Sequence, residues 1–81
     1  MKYILLQQFI EQLESFSTPI QNKFWKQLKF LLISPRHPSL DVKKYDENRG
    51  LWQARVDRKI RFYFLIKDSA YILLEIKKHP K

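Results

Sequence analysis

The 81-residue chain contains no cysteine. No disulfide can staple it, and no thiolate can attack a substrate or bind a metal. A cytoplasmic setting fits that absence. Glycine is nearly missing as well, with Gly50 alone, although glycine makes up about 7% of an average sequence. There is accordingly no Gly-rich phosphate loop and no low-complexity linker, and 81 residues leave room for one domain, 1–81. No stretch approaches the roughly 20 apolar residues of a membrane span. The opening run Met1–Leu6 is too short for a signal peptide and is followed by Gln7, Gln8 and Glu11 without a small-residue cleavage site. His37 and His79 lack zinc-site spacing, no carboxylate cluster supports them, and the serines sit in no Ser-His-Asp context. Metal and acyl-transfer chemistry are therefore unsupported, and no cofactor is implied.

Acid is the other scarcity. Eight Asp and Glu stand against sixteen Lys and Arg, a net charge of +8. So large a charge on a small body attracts polyanions or acidic proteins. The means to fold are present: 44% of residues are hydrophobic and 15% aromatic, which a domain burying only about 60% of its unfolded surface needs.

Lys2–Leu5 reads as a short strand. From Leu6 the apolar residues Leu6, Phe9, Ile10, Leu13 and Phe16 recur at helical spacing. Ser17-Thr18-Pro19 interrupts them. Thr18 is the expected N-cap of a second helix, Pro19–Ile33, with Gln21 completing a capping box. Ile20, Phe24, Leu28, Leu31 and Leu32 form its apolar stripe, while Lys23, Lys26 and Lys29 point to solvent. Ser34-Pro35 ends it. The short connector makes the two helices an antiparallel hairpin.

The period then becomes two. Val42–Tyr45 is a short strand and Asn48-Arg49-Gly50 a turn. Trp52, Ala54 and Val56, then Ile60, Phe62, Phe64 and Ile66, then Ile72, Leu74 and Ile76 mark one apolar face of an antiparallel meander. The helical hairpin must cover that face. The fold class is α+β: a short N-terminal strand, an antiparallel helical hairpin, then an antiparallel-rich sheet. The other sheet face is expected to carry Gln53, Arg55, Arg61, Tyr63, Leu65, Tyr71, Leu73, Glu75 and Lys77, a basic and aromatic surface.

On that face Arg55 and Arg61 share parity on strands separated by a three-residue turn. Two guanidinium groups there can clamp a phosphate without a metal and stabilise a phosphorane-like transition state. Alternatively they pair with Glu75 and Asp57 or are solvated. Tyr63 and Tyr71 can stack on unpaired bases or pack against Leu65, Leu73 or a partner protein. His79 can shuttle a proton near neutral pH or be an exposed tail residue. Lys43, Lys44, Lys77 and Lys78 complete the basic set, facing phosphate or solvent, and Trp52 is expected in the core.

The run Pro35-Arg36-His37-Pro38-Ser39-Leu40, then Lys43-Lys44, Leu51-Trp52-Gln53-Ala54-Arg55-Val56, Ile60-Arg61-Phe62-Tyr63-Phe64 and Ile76-Lys77-Lys78-His79-Pro80 resembles the RelE/ParE superfamily of type II toxin–antitoxin toxins of prokaryotes. Members commonly read P-x-HPSL, KKL, W-x-x-RV, YRIIY and a last strand ending IG-x-HD. The likeness runs from Phe9 to His79. It implies a cognate antitoxin that wraps and neutralises the toxin. In many relatives it also implies a ribosome-dependent mRNA endonuclease that leaves a 2′,3′-cyclic phosphate without metal. By position Arg61 matches the arginine of YR, Arg55 the basic residue of the preceding strand, and His79 the histidine of G-x-HD. The chain departs from the pattern at Lys77 (family Gly), Phe64 (family Tyr) and Pro80 (family acid), and it stops at Lys81, short of the tail that supplies a catalytic Tyr in some relatives.

The expected function is thus a cytoplasmic toxin acting as an mRNA endonuclease. Lys43, Lys44, Tyr63, Lys77 and Lys78 bind RNA, and Arg55, Arg61 and His79 are catalytic. A non-nuclease toxin of the ParE type that poisons gyrase, or a degenerate homologue that only binds antitoxin, is the alternative. A generic single-strand binder is a third reading, and it would show salt-dependent RNA binding without growth arrest.

Overall fold

The computed structural model describes residues 1–79. The elements run β1 Lys2–Leu5, α1 Gln7–Glu14, α2 Thr18–Ile33, a 3₁₀ turn Pro38–Leu40, β2 Lys43–Asp46, β3 Leu51–Arg55, β4 Ile60–Lys67 and β5 Ala70–Lys78. The five strands form one sheet in the order β1-β5-β4-β3-β2. The meander β2 to β5 is antiparallel, and β1 pairs parallel with β5. The α+β arrangement expected from the pattern is the one observed.

Phe9 of α1 meets Phe24 of α2 at 5.1 Å between ring centroids, and Phe24 meets Phe62 of β4 edge-on at 5.4 Å. All three are fully buried, so Phe24 joins the two helices to the sheet. Leu13, Leu28, Leu31, Ala54, Val56, Phe64 and Ile76 fill the space around them. Aromatic contacts of this kind add about 0.5–1.5 kcal/mol beyond their area burial.

The start of α2 lies one residue earlier than expected. Its first helical hydrogen bond runs from the Gln21 N–H to the Ser17 carbonyl at 3.0 Å, so Ser17, not Thr18, is the N-cap. The Gln21 side chain closes no capping box. Its amide donates to the Phe16 carbonyl at 2.9 Å and ties down the interhelical turn. β2 is shifted by one residue from the expected Val42–Tyr45. The cause is upstream: the 3₁₀ turn and a left-handed Asp41 (φ 46°) bring the chain into the sheet only at Lys43.

The largest departure from simple alternation lies in β5. Tyr63 pairs with Glu75 but Phe64 pairs with Leu73, leaving Leu74 as an extra residue in the strand. One inserted residue flips the side-chain parity beyond it. Tyr71 and Leu73, expected on the open face, therefore point into the core at 5% and 0% exposure, and Ile72 moves to the open face beside Leu65. Past the bulge, Ile76 returns to the core. Here β5 has outrun β1, which pairs only with Ala70–Leu73. Helix α1 takes over that edge: Gln12 Oε1 accepts the Ile76 N–H at 2.9 Å, and the Gln8 amide approaches the Leu74 carbonyl at 3.4 Å.

Candidate nucleic-acid interface

The sheet register sorts the open face into rows that cross the strands. Arg55 of β3, Arg61 of β4 and Lys77 of β5 are direct neighbours in one row. The next holds Lys43, Gln53, Tyr63 and Glu75. The third is apolar: Leu65, Ile72 and Ile4 of β1. The face is thus basic at the end near the β3–β4 turn and apolar at the other.

Three cations side by side repel unless counter-charges intervene. Arg55 Nη2 lies 3.2 Å from Asp41 Oδ2, and Lys77 Nζ lies 3.6 Å from Glu75. Arg61 has no carboxylate partner among the described residues. Its Nη1 donates to the backbone carbonyls of Asp57 at 2.6 Å and Ile60 at 3.2 Å. The arginines are therefore adjacent as expected, but each guanidinium is held by a different group rather than joined in one clamp. Asp57, expected as a possible carboxylate partner, instead caps its own turn: Oδ1 accepts the N–H groups of Lys59 and Ile60, both at 2.9 Å.

Arg61 also opens on a recess of about 360 Å³ that it lines with Arg58, Lys59, Lys78 and His79. The His79 N–H donates to the Lys59 carbonyl at 2.7 Å, which fastens the end of β5 to the β3–β4 turn and brings the imidazole to the recess. Each described residue that lines the recess carries a basic side chain, which suits it to a phosphate. Lys78 faces this recess rather than the row, because its strand partner is the core residue Ile60.

Tyr63 lies on the open face as expected, yet it is only 1% exposed. Tyr45 packs against its ring at 4.8 Å, and the Lys77 ammonium sits 5.2 Å above it. Burial, with Tyr45 and Glu75 adding to it and Arg61 opposing it, raises the phenol above its usual value, so it is a hydrogen-bond donor and not a base at neutral pH. The aromatic ring presented to solvent is that of Tyr45, 53% exposed. The sequence pattern alone gives Tyr45 no role. The signal was its position two residues after Lys43, on the alternation that puts Lys43 on this face. Lys44 lies on the other side of the sheet, its ammonium 4.2 Å above the Trp52 indole, away from Arg61. Trp52 packs against the core as expected. Pro80 and Lys81 lie outside the described residues. Among the described residues no three His, Asp or Glu side chains converge as metal ligands, and no helix is long and apolar enough to cross a membrane.

A chain segment behind this face sets it in place. Gln27 of α2 is 3% exposed. Its amide donates to the Ser39 carbonyl at 3.1 Å and the Arg55 carbonyl at 2.9 Å, and its Oε1 accepts the Ser39 hydroxyl at 3.3 Å. His37 stacks on Phe30 at 4.0 Å, and its Nδ1 accepts the Ser39 N–H at 3.2 Å. The His-Pro-Ser-Leu segment is therefore a structural clasp that holds Asp41 and Arg55.

No protein-family model and no curated protein sequence matches the chain. Solved structures do. The YoeB/ParE toxin from Agrobacterium tumefaciens superposes with a TM-score of 0.81 at 14% identity, covering 99% of this chain and all of that one. The YoeB dimer from Staphylococcus aureus gives 0.81 at 16% identity over 99% and 98% of the two chains. The archaeal RelE-RelB complex from Pyrococcus horikoshii OT3 gives 0.76 at 21% identity over 95% and 92%. Strand, helical hairpin and sheet superpose along nearly the whole of both chains, and the fold of this protein is the RelE/ParE toxin fold.

Proposed function

We propose that the chain is the toxin of a type II toxin–antitoxin pair and acts as a metal-independent, ribosome-associated mRNA endonuclease. The observation that carries this reading is the cationic row Arg55–Arg61–Lys77 running into the basic recess of Arg61, Lys78 and His79. In the proposed reaction the ribose 2′-hydroxyl attacks the adjacent phosphorus in line. The 2′-proton passes to a base, the bond to the 5′-oxygen breaks, and that oxygen takes up a proton, leaving a 2′,3′-cyclic phosphate. Arg61, with no carboxylate partner among the described residues, holds the reacting phosphate, and Arg55 beside it helps stabilise the added charge. His79 or Lys77 assists proton transfer. Lys43, Lys77 and Lys78 attract the backbone. Tyr45 is a stacking surface better exposed than Tyr63, and Lys44 contributes only at a distance. An mRNA target requires residence in the cytoplasm.

An antitoxin partner accords with the P. horikoshii RelE structure, a complex with RelB, and with the S. aureus YoeB-YefM toxin-antitoxin complex. Controlled expression should arrest growth, and primer extension should map new 5′ ends in cellular mRNA. Arg61→Ala should abolish both while leaving the circular dichroism spectrum intact. Undiminished arrest by that folded variant would sink the nuclease reading.

One observation favours a second reading, a non-nuclease toxin of the ParE type or an antitoxin-binding homologue: both arginines are already engaged by protein oxygens. Inhibition of purified gyrase in a supercoiling assay, without cleaved transcripts, would select the gyrase poison. Absence of both effects alongside antitoxin binding would select the homologue.

A further inference from the structure

Asp41 occupies an unusual position. It has a left-handed backbone conformation (φ 46°, ψ 51°) directly after the 3₁₀ turn, and its Oδ2 lies 3.2 Å from Arg55 Nη2 and 3.3 Å from Lys43 Nζ. One carboxylate oxygen thus serves two cations from two strands, as a phosphate oxygen does when it bridges Arg and Lys. The arrangement is built rather than a chance surface encounter. Leu40 before it is fully buried, Gln27 binds the Ser39 carbonyl, and His37 is stacked on Phe30. Meanwhile Arg55 Nε is buried and has no hydrogen-bond partner among the described residues, so the guanidinium keeps an unused donor.

We propose that Lys43 and Arg55 form an anion subsite for a phosphate of single-stranded nucleic acid, separate from the Arg61 recess, and that the Asp41 carboxylate is its built-in competing ligand. The nucleic-acid identity of the ligand rests on the functional reading above; the anion subsite itself does not. The competition is weak enough to be displaced. The side chains of Arg55, Asp41 and Lys43 are 39%, 34% and 64% exposed, and ion pairs so open to water change an equilibrium by only about two- to fivefold. Asp41 therefore limits affinity for stray phosphates, whereas a strand already anchored in the Arg61 recess would present its next phosphate at high local concentration.

Asp41→Asn is the informative change, because asparagine tolerates the left-handed region and keeps the side-chain volume. Asp41→Gly, at home at positive φ, is the second variant should the first lose its fold. The Arg55 Nε–H resonance of ¹⁵N-labelled protein is followed during titration with inorganic phosphate at constant ionic strength. Either variant is expected to bind phosphate about two- to fivefold more tightly than the parent, and Lys43→Gln in the same background should cancel the gain. A response equal to that of the parent overturns the subsite. Binding of a labelled ten-nucleotide RNA across a salt series is the second measurement. Either Asp41 variant should bind it about two- to fivefold more tightly, and Lys43→Gln in the parent should make the log–log salt slope shallower by about 0.7, one phosphate contact fewer on a single strand. A gain in phosphate binding without RNA binding would leave the subsite standing and remove the RNA reading.

Discussion

Gln27 lies within the helical stripe of Phe24, Leu28 and Leu31, and the stripe alone gives no reason for a polar residue there. Its amide meets two backbone carbonyls, of Ser39 and Arg55. Replacing it with Leu keeps the volume but removes both part-buried hydrogen bonds, each worth about 0.5–1.5 kcal/mol. Urea unfolding of Gln27→Leu should therefore show a loss of about 1–3 kcal/mol. Tyr63 and Tyr71 make a second residue-scale prediction. Both phenols are raised, chiefly by burial. The unfolded chain gives up these protons first as pH rises, so it binds fewer protons than the native state. Stability from these groups is full below about pH 10, the ordinary tyrosine value, and is lost as pH climbs through the higher native values. Denaturant midpoints measured from pH 8 to 11 should fall above pH 10, and less steeply for a Tyr63→Phe/Tyr71→Phe double variant.

At the scale of elements, the β5 bulge decides which residues form the core. Regular alternation would bury Leu74 and expose Leu73; the observed register buries Leu73 completely and leaves Leu74 half-exposed. Leu73→Ala should cost about 2–5 kcal/mol and Leu74→Ala less than about 1.5 kcal/mol. Thermal melts of the two variants would give the reverse order if the strand ran without a bulge. The same bulge puts Ile72 beside Leu65 on the open face, and so it shapes that face as well as the core. The sheet edges are treated differently. β2 carries Lys43 and Lys44, charges that discourage further strand pairing, while β1 exposes Tyr3 and Ile4.

For the whole molecule the governing quantity is the +8 charge and its uneven placement. The Arg61 row and recess gather Arg58, Lys59, Arg61, Lys77 and Lys78 at one end of the domain. If they meet about four phosphates of a single strand, the log–log salt slope should be near −3, so a fourfold rise in salt would cut RNA affinity by about 50-fold. Fluorescence anisotropy at several salt concentrations checks this. A slope near zero would show that the charge is not the binding surface.

The sequence by itself determined the layers. Period-3.6 apolar spacing from Leu6 to Ile33 and period-2 spacing from Trp52 to Phe64 can be satisfied only by helices laid on a sheet, and that local pattern also set Arg55 opposite Arg61 across a short turn. Tertiary structure alone decided what those patterns leave open. Parity in β5 depends on a bulge, a property of pairing between strands that one strand's alternation does not encode. The exposure of Tyr45 and the covering of Tyr63 depend on the pairing of β2 beside β3, which brings the Tyr45 ring onto Tyr63. The Asp41 contact joins a loop to two strands, and its chemistry exists only once Gln27 has drawn that loop against β3.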